Sequence, residues 1–336
     1  MIIDRKTPPT RYHQYIALKE RLDKEEFEPL NLKYLSYKSG YRGETSIDYF
    51  LKLLNHEELV IMHDVRLPNE EDFFQIDTLI LARSFWLVIE SKNYSGSVTV
   101  FPKSQQLICS YKTGDQTFDD PLEQVKIASR KLSNWFSENG CKALGRLPAY
   151  HQVVFTNKNS SFTVHSDLEV ITSKYCRPSA LIDKIEMWES ENRSNSIPFS
   201  EVVRTATLLT NSYQCWIPDY MKMDYYVSKM KKGVICKTCG SERMAYIANK
   251  KLWKCINIEC TNTSTDAHLD AIYHYALLIN KDITNKQLRS FLNIESRDIS
   301  YRILKSLELP QSGTPRLRIY DLSVFLRGEK EGPYTT

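Results

Sequence analysis

Two apolar runs, separated by only two residues, constrain the fold of this chain more than any other feature of its sequence. They are "FQIDTLILA", residues 74–82, and "FWLVIE", residues 85–90. Both are rich in Ile, Leu and aromatic residues, and polar or turn-forming residues bound the pair on each side. The two runs therefore predict neighbouring β-strands that form a buried hairpin.

The segments around this hairpin predict a mixed α/β domain. Apolar residues at helical spacing in "GYRGETSIDYFLKLL" predict an amphipathic helix that starts behind Gly40 and Gly43. "DDPLEQVKIASRKLSNWFSENG" predicts a second helix, with Asp120 as N-cap and Pro121 at its first position. Further strands are predicted in "LVIMHDVRLP", "VTVFP", "QLICSYKTGDQTF", "AYHQVVFTN" and "DLEVIT". Helices and strands in this order predict one domain that ends near residue 175.

The composition is that of a globular chain with more than one domain. It has 336 residues, of which 42% are apolar and 26% charged. No signal peptide and no run of about 18 apolar residues is recognisable, so we expect a cytoplasmic protein with no membrane partner. From residue 231 onward there are 17 Lys and Arg against 11 Asp and Glu. This excess is compatible with a polyanion-binding end or with an ordinary solvated surface.

Charged residues occur where these buried strands should be apolar. Side chains alternate along a strand, so Glu90 and Lys92 face the same way. Asp77 interrupts the preceding strand, where an unpaired carboxylate is costly. Glu44 projects from the apolar stripe of the first predicted helix, at its first turn. If this helix packs on the hairpin, three carboxylates and one ammonium converge.

Such a cluster is typical of a site for Mg²⁺ or Mn²⁺, with Asp77 and Glu90 as ligands. A metal ion there could activate a water for attack on a phosphate, and Lys92 could orient or deprotonate that water. Each residue also has a simpler interpretation: a solvated pair at a strand end, a buried ion-pair partner, or a charge at a helix terminus. The combination of all three features favours the metal site.

"GYRGE", "FQIDTLIL", "ESKNYSG" and "DPLEQ" occur in this order and resemble the motifs of the nuclease-related domain family, NERD, itself similar to the PD-(D/E)xK nucleases. The resemblance covers about residues 35–175 and implies a restriction-endonuclease-like mixed sheet flanked by helices. The residues that match the family's catalytic set are Glu44, Asp77, Glu90 and Lys92. Gln124 matches a glutamine whose implied contacts in that family are the metal-bound water or DNA, although an ordinary surface position would suit it equally. Ser91 departs from the apolar residue that is more common between the glutamate and the lysine.

Four of the eight cysteines fall within 25 residues. They are Cys236, Cys239, Cys255 and Cys260. Two close pairs separated by a short segment predict a tetrahedral zinc site, which is favoured over a redox C-x-x-C motif or disulfides. The segment resembles the zinc ribbons appended to DNA topoisomerases.

The ribbon residues predicted to bind nucleic acid are Lys237, Arg243, Lys250, Lys251, Trp253 and Lys254, with Tyr246 between them. Cations would meet phosphates while rings stack on bases; the alternative is a purely structural ribbon with a solvated basic face.

"DITNKQLRSFLNIESRDISYRILKSLEL" predicts two short helices, residues 285–292 and 297–307, with Thr284 and Ser296 as N-caps. The pair resembles a helix-turn-helix, although any helical hairpin shows the same periodicity. The residues of the second helix that could reach a DNA groove are Arg297, Arg302 and Lys305.

These features predict five segments. They are a helical N-terminal extension (1–34), the nuclease-related domain (35–175), a helical connector (176–230), a Cys₄ zinc ribbon (231–265) and a helix-turn-helix-like C-terminal region (266–336). The leading hypothesis is a Mg²⁺- or Mn²⁺-dependent DNA nuclease that hydrolyses phosphodiester bonds and is tethered to DNA by its zinc ribbon. A DNA-binding or signalling protein with a nuclease-like core that does not cleave, and an RNA nuclease, are the alternatives.

Overall fold

The computed structural model describes residues 2–3, 10–54, 57–70, 72–240 and 243–327. The chain divides into two compact units. Unit 1 comprises Met1–Arg5 and Lys38–Gln214, and unit 2 comprises Lys6–Tyr37 and Cys215–Thr336. No helix in the described part of the chain combines the length and apolarity needed to cross a bilayer. The finer division into five segments stays a prediction.

The first 211 residues contain eight α-helices and ten strands among the described residues. Up to residue 119 these are β1 (Ile2–Ile3), α1 (Thr10–Arg21), α2 (Lys24–Ser46), α3 (Asp48–Leu51), β2 (Leu59–Asn69), β3 (Asp72–Ala82), β4 (Trp86–Lys92), β5 (Ser97–Phe101), β6 (Gln106–Tyr111) and β7 (Gly114–Asp119). The others are α4 (Pro121–Glu138), α5 (Lys142–Gly145), β8 (Ala149–Phe155), β9 (Phe162–Val164), α6 (Glu169–Thr172), β10 (Tyr175–Cys176), α7 (Ala180–Asn192) and α8 (Phe199–Asn211). Of these, α1 and the first part of α2 belong to unit 2.

Six strands of unit 1 form a mixed sheet in the order β1-β2-β3-β4-β8-β10. β2, β3 and β4 pair antiparallel, whereas the β1–β2, β4–β8 and β8–β10 pairs are parallel. The predicted hairpin is β3–β4, and it lies inside the sheet. A strand with neighbours on both edges and both faces covered must be apolar throughout, which explains the two runs. The mixed α/β fold predicted from the sequence is confirmed.

Alternating residues of β4 contribute to two separate hydrophobic cores. Trp86 and Val88 belong to the core that includes residues of α4 and α8. Leu87 and Ile89 belong to the core that includes residues of α3 and α7. A shift of one residue would exchange the two sets, so burial of both faces fixes the register. The same alternation directs the charged residues at the end of β4 to the face that α4 covers.

A second sheet of unit 1 has the strand order β7-β6-β5-β9. It contains the predicted hairpin of "VTVFP" and "QLICSYKTGDQTF", which forms three strands rather than two. Gly114 follows the turn between β6 and β7 with a φ of +122°, a value that favours glycine. Val98, Val100 and Leu107 of this sheet join the same core as α4.

Two local predictions are wrong. "DLEVIT", predicted as a strand, contains the short helix α6, none of whose residues is buried. Leu168 and Val170 are exposed, and only Ile171 packs, partly buried, against the core. Gly40 and Gly43 do not precede a helix, because both lie inside α2, which begins at Lys24. Glu44 consequently lies in the last turn of a helix and not in its first turn.

Unit 2 contains the remaining elements. They are α9 (Asp224–Lys229), β11 (Met244–Ile247), β12 (Leu252–Cys255), β13 (Thr263–Ser264), α10 (His268–Leu278), β14 (Asp282–Thr284), α11 (Asn285–Leu292), α12 (Arg297–Ser306), β15 (Gln311–Ser312), β16 (Ile319–Asp321) and α13 (Ser323–Leu326). α1 packs on the buried helix α10, where Gln14 Nε2 donates to the carbonyl of Leu277 at 3.0 Å. Arg21 is buried, but its Nε donates to His274 Nδ1 at 2.9 Å and one Nη donates to the carbonyl of Lys231 at 2.8 Å. These bonds offset the cost of burying the guanidinium.

Two three-stranded antiparallel sheets lie in unit 2, with orders β11-β12-β13 and β14-β16-β15. The second sheet accompanies the helix pair α11 and α12. Thr284 caps α11 by accepting from the Gln287 N–H, and Ser296 caps α12 by accepting from the Ile299 N–H. The two predicted helices and both predicted caps are confirmed, and the C-terminal part adds a strand hairpin that the sequence patterns did not reveal.

Candidate active site and metal centre

Glu90 and Lys92 form a close ion pair at the end of β4. Lys92 Nζ lies 2.6 Å from Glu90 Oε1, and the Lys92 and Glu90 side chains are only 22% and 18% exposed. Lys92 Nζ also donates to Gln124 Oε1 at 3.0 Å. Burial alone lowers the pKa of Lys92, but the carboxylates of Glu90 and Asp77 outweigh burial, so the net shift of the pKa is upward. In this arrangement Lys92 is therefore an ammonium that bridges two elements.

The start of α4 is anchored so that Gln124 meets the end of β4. Asp120 Oδ1 accepts from the Leu122 N–H at 2.9 Å, and its Oδ2 accepts from the Tyr175 hydroxyl at 2.6 Å. Pro121 at the first helical position completes this helix start. The cap and the tyrosine together fix the first turn of the helix, from which Gln124 reaches Lys92.

Asp77 lies on β3, beside this ion pair. The antiparallel register of β3 and β4, continued by one residue, places Asp77 opposite Glu90. Its Oδ2 accepts from the backbone N–H of Ser91 at 3.0 Å. Burial, followed by repulsion from Glu90 and Glu44, raises the pKa of Asp77 well above its ordinary value. A cation at this position would relieve that repulsion.

Glu44 reaches the site because Gly43 lets α2 approach the strand ends closely. A Cβ at Gly43 would lie 2.7 Å from Asn93 Cβ and 2.9 Å from Thr156 Oγ1. Asn93 Nδ2 donates to the carbonyl of Ser39 at 2.7 Å, which ties α2 to the segment after β4. The second glycine of "GYRGE", Gly43, is thus required by a close contact and not by a helix start.

The sequence patterns did not reveal Asp64, a further acid near the site. It lies on β2 with a φ of +49°, a left-handed conformation that aspartate tolerates better than most residues. Burial, followed by the negative charges of Asp64 and Glu90, raises the pKa of Glu44 to about 7. The available signal was an aspartate in the middle of a predicted strand, "LVIMHDVRLP".

The structure thus brings the predicted catalytic residues together around the end of β4. They are Glu44, Asp77, Glu90, Lys92 and Gln124. Of the described residues, only the four cysteines of unit 2 form a group of three or more potential ligand atoms that all lie within 4.8 Å of one another. The carboxylates of the candidate active site, all of them described residues, do not form a group of three within this distance. Mg²⁺ and Mn²⁺ need only one or two carboxylates, with water and phosphate oxygens filling the remaining positions. Asp77 and Glu90 fit such an ion by their hard oxygens and their position opposite each other.

The four cysteines of unit 2 form the second candidate metal site. The Cys236 and Cys260 sulfurs are 3.8 Å apart, and those of Cys239 and Cys255 are 3.5 Å apart. Tetrahedral zinc with bonds of about 2.3 Å places its sulfur ligands about 3.8 Å apart. Asn262 Nδ2 also donates to Cys236 Sγ at 3.3 Å. The cluster is consistent with a zinc ribbon.

Trp253 packs inside this ribbon. It is only 1% exposed, its Nε1 donates to His268 Nδ1 at 3.1 Å, and its ring contacts Tyr246. A ring without an exposed face has no surface on which a base can stack. The burial of Trp253 is therefore incompatible with its predicted role in binding nucleic acid.

The other residues predicted to contact nucleic acid are exposed. They are Lys237, Arg243, Lys250, Lys251, Lys254, Arg297, Arg302 and Lys305. Lys237 forms an ion pair with Asp270 at 2.6 Å. Their contact with nucleic acid stays a prediction.

Residues 39–156 match the family model of the nuclease-related domain. Comparison with curated proteins and with solved structures gave no match. The matched segment begins in α2 before Glu44 and ends directly after β8, so it includes every residue of the candidate active site described above.

Proposed function

Because residues 39–156 form a nuclease-related domain, we propose that this protein is a Mg²⁺- or Mn²⁺-dependent nuclease that hydrolyses phosphodiester bonds in DNA. One observation carries the proposal: the end of β4 holds a glutamate and a lysine in contact, with an aspartate opposite them. A purely structural ion pair needs no third, partly buried carboxylate, because removing that group from water costs free energy. A carboxylate kept at such a cost, beside a charge partner, marks a candidate functional site.

In this proposal Asp77 and Glu90 hold the divalent ion. When bound, the ion acidifies a water and neutralises charge on the phosphate under attack. Asp77 is kept in place by the Ser91 N–H, and the β3–β4 ladder fixes its distance from Glu90. The rigid sheet thus holds both ligands before the substrate arrives, which lowers the cost of organising the site.

Lys92 has the geometry of a positioning cation. Its ammonium has three hydrogens, and Glu90 and Gln124 accept two of them in the described structure. The third can be donated to the attacking water or to a phosphate oxygen. Glu44, in the last turn of α2, adds a further carboxylate whose charge acts on Asp77 and Glu90.

Unit 2 supplies the tether in this proposal. The zinc ribbon places five exposed cations on a small, metal-stabilised scaffold: Lys237, Arg243, Lys250, Lys251 and Lys254. Phosphate contacts by such residues give affinity without sequence preference. The ribbon therefore retains the polymer, and unit 1 performs the cleavage.

The test is a cleavage assay on the zinc-loaded protein with Mg²⁺, Mn²⁺, Ca²⁺ or no added ion. Substrates are single-stranded, double-stranded and nicked DNA, and RNA. Asp77→Asn and Lys92→Ala should each lower the rate by at least about a hundredfold, because each removes a group that acts on the reacting atoms. The exposed residues Asp72 and Lys103 provide matched controls, Asp72→Asn and Lys103→Ala, which should cleave like the wild type.

Three results would overturn parts of the proposal. Equal cleavage by Asp77→Asn and the wild type would reject the assigned site. Cleavage of RNA but not of DNA would change the proposed substrate from DNA to RNA. Salt-sensitive DNA binding without cleavage under any of these conditions would favour a protein that binds DNA through a nuclease-like core.

A further inference from the structure

A groove in unit 2 is lined by many more cations than acids. It lies between the first turns of α11 and α12 and the tip of the β15–β16 hairpin, residues 313–318. The charged residues that line it are Lys286, Arg289, Arg297, Arg316, Arg318 and Asp298. Five cations against one acid in a single groove create a positive potential that attracts a polyanion.

Both helices present their N-terminal ends to this groove. Asn285 and Lys286 begin α11, and Arg297 and Asp298 begin α12. The caps occupy the N–H groups of the third residue in each helix. The two earlier N–H groups of each helix have no partner within the helix itself. Such N–H groups and the positive ends of the helix dipoles bind phosphate oxygens. The groove thus combines side-chain cations with backbone donors.

The hairpin tip holds two of the arginines in place. Gly313 has a φ of +83°, and a Cβ there would lie 2.5 Å from the carbonyl oxygen of Leu317. The Leu317 N–H donates to the carbonyl of Thr314 at 3.0 Å, which closes the turn. This tight turn places Arg316 and Arg318 among the residues that line the groove.

The groove has little aromatic surface on which to stack unpaired bases. Of its two tyrosines, Tyr320 is buried and Tyr301 is 43% exposed. Proteins that bind single strands usually present several exposed rings, each stacking on a base. The groove is therefore better suited to a sugar–phosphate backbone whose bases are already paired.

The exposed face of α12 favours DNA over RNA. Tyr301, Arg302 and Lys305 are exposed on this helix. A helix fits into the major groove of B-form DNA, whereas the major groove of A-form RNA is too narrow for it. We propose that α12 enters the major groove of duplex DNA while Arg316 and Arg318 of the hairpin tip bind the adjacent phosphates. This inference concerns unit 2 alone and goes beyond the proposed cleavage.

The experiment measures binding of a 20-base-pair duplex by fluorescence anisotropy. The zinc-loaded protein carries Asp77→Asn, and no Mg²⁺ or Mn²⁺ is added, so cleavage does not affect the result. Arg316→Ala/Arg318→Ala should raise the Kd at least about tenfold. The logarithm of the association constant falls linearly with the logarithm of the salt concentration, and each phosphate contact contributes about 0.9 to the steepness of that slope. Loss of two contacts should therefore make the slope shallower by about 1.8.

Lys24→Ala/Lys33→Ala is the matched control. It removes the same charge from exposed positions of unit 2 outside the groove and should change the Kd less than about twofold. Arg297→Ala alters α12 rather than the hairpin tip and should also weaken binding. It therefore tests the groove independently if the hairpin variant folds poorly. A melting curve for each variant establishes that it is folded.

Unchanged affinity in both groove variants would overturn the inference. So would an equal loss in the lysine control, or tighter binding of single-stranded DNA or duplex RNA than of duplex DNA. Absence of cleavage by the wild type with Mg²⁺ or Mn²⁺ would reject the proposed nuclease activity and leave the binding result intact.

Discussion

Lys92 donates to side chains from two different elements, Glu90 on β4 and Gln124 on α4. At the scale of residues, this lysine links the sheet to the helix that covers it. The link supports one of two interpretations of Gln124 that the sequence leaves equal, a role in the site rather than an ordinary surface position. A glutamine that contacts the lysine can orient it, whereas an ordinary surface residue has no such effect.

Gln124→Ala should therefore lower kcat about tenfold with little change in KM, because Lys92 loses one of its two acceptors and its orientation. Steady-state cleavage kinetics with Mn²⁺ measure both values. Gln116→Ala, which alters an exposed glutamine of β7, is the control and should leave both unchanged. An unaltered kcat in Gln124→Ala would show that Gln124 is an ordinary surface residue with no role in the site.

Asp64 should influence the metal ion through its charge. Asp64→Asn should raise the Mn²⁺ concentration needed for half-maximal cleavage several-fold, since removing a nearby negative charge weakens attraction of the cation. Asparagine also tolerates the left-handed backbone at this position, so the fold should persist. A titration with Mn²⁺ tests this. Identical half-maximal concentrations in variant and wild type would show that Asp64 lies outside the electrostatic field of the site.

At the scale of elements, the approach of α2 to the strand ends depends on one glycine. Gly43→Ala should lower activity at least tenfold and destabilise the protein by about 1–3 kcal/mol, because its Cβ would overlap Asn93 and Thr156. Gly40→Ala is a matched control in the same helix, with no atom within 4 Å of its Cβ. It should stabilise the protein by up to about 1 kcal/mol. Urea denaturation and cleavage rates measure both effects. Equal behaviour of the two variants would contradict the close contact.

The ribbon sheet should depend on its metal. Cys260→Ser should reduce the zinc content from about one ion per chain towards zero and lower the melting temperature, because metal binding contributes directly to the stability of such small sheets. Cys215→Ser, outside the cluster, should retain the zinc. Elemental analysis and thermal denaturation provide the measurements. Full zinc retention in Cys260→Ser would exclude the four-cysteine site.

At the scale of the whole molecule, buried histidines should make stability depend on pH. Burial lowers the pKa of His13 to about 4, whereas an unfolded chain has a value near 6.5. Between these values the unfolded state binds the additional proton. The stabilising contribution is complete above pH 6.5 and is lost as the pH falls towards 4, by about 1.4 kcal/mol per pH unit.

His13→Gln should therefore reduce the pH dependence of the free energy of unfolding between pH 7 and pH 5. Urea titrations of the zinc-loaded protein at several pH values measure the slope. His165→Gln, which alters an exposed histidine of unit 1, is the control. A slope in His13→Gln as steep as that of the wild type would be inconsistent with a buried neutral imidazole.

Much of the fold could be predicted because the sequence patterns that indicate it involve residues that are close together along the chain. Periodicity predicted the β3–β4 hairpin, and the cap residues Asp120, Thr284 and Ser296 marked three helix starts that the structure contains. Cysteine spacing predicted the metal cluster, because two close pairs within one small sheet can meet without help from the rest of the chain. The alternation at "IESK" likewise predicted that Glu90 and Lys92 meet.

By itself, then, the sequence determined the central strands of the large sheet, where several helices begin, and which charged side chains share a face. Only the tertiary structure decided that Glu44 ends a long helix, that Gly43 is in contact with Asn93, and that Trp253 lies inside the ribbon. It also decided that Arg316 and Arg318 share a groove with the first turn of α12. Local patterns depend on neighbouring residues, whereas burial and close approach depend on atoms brought together from distant parts of the chain.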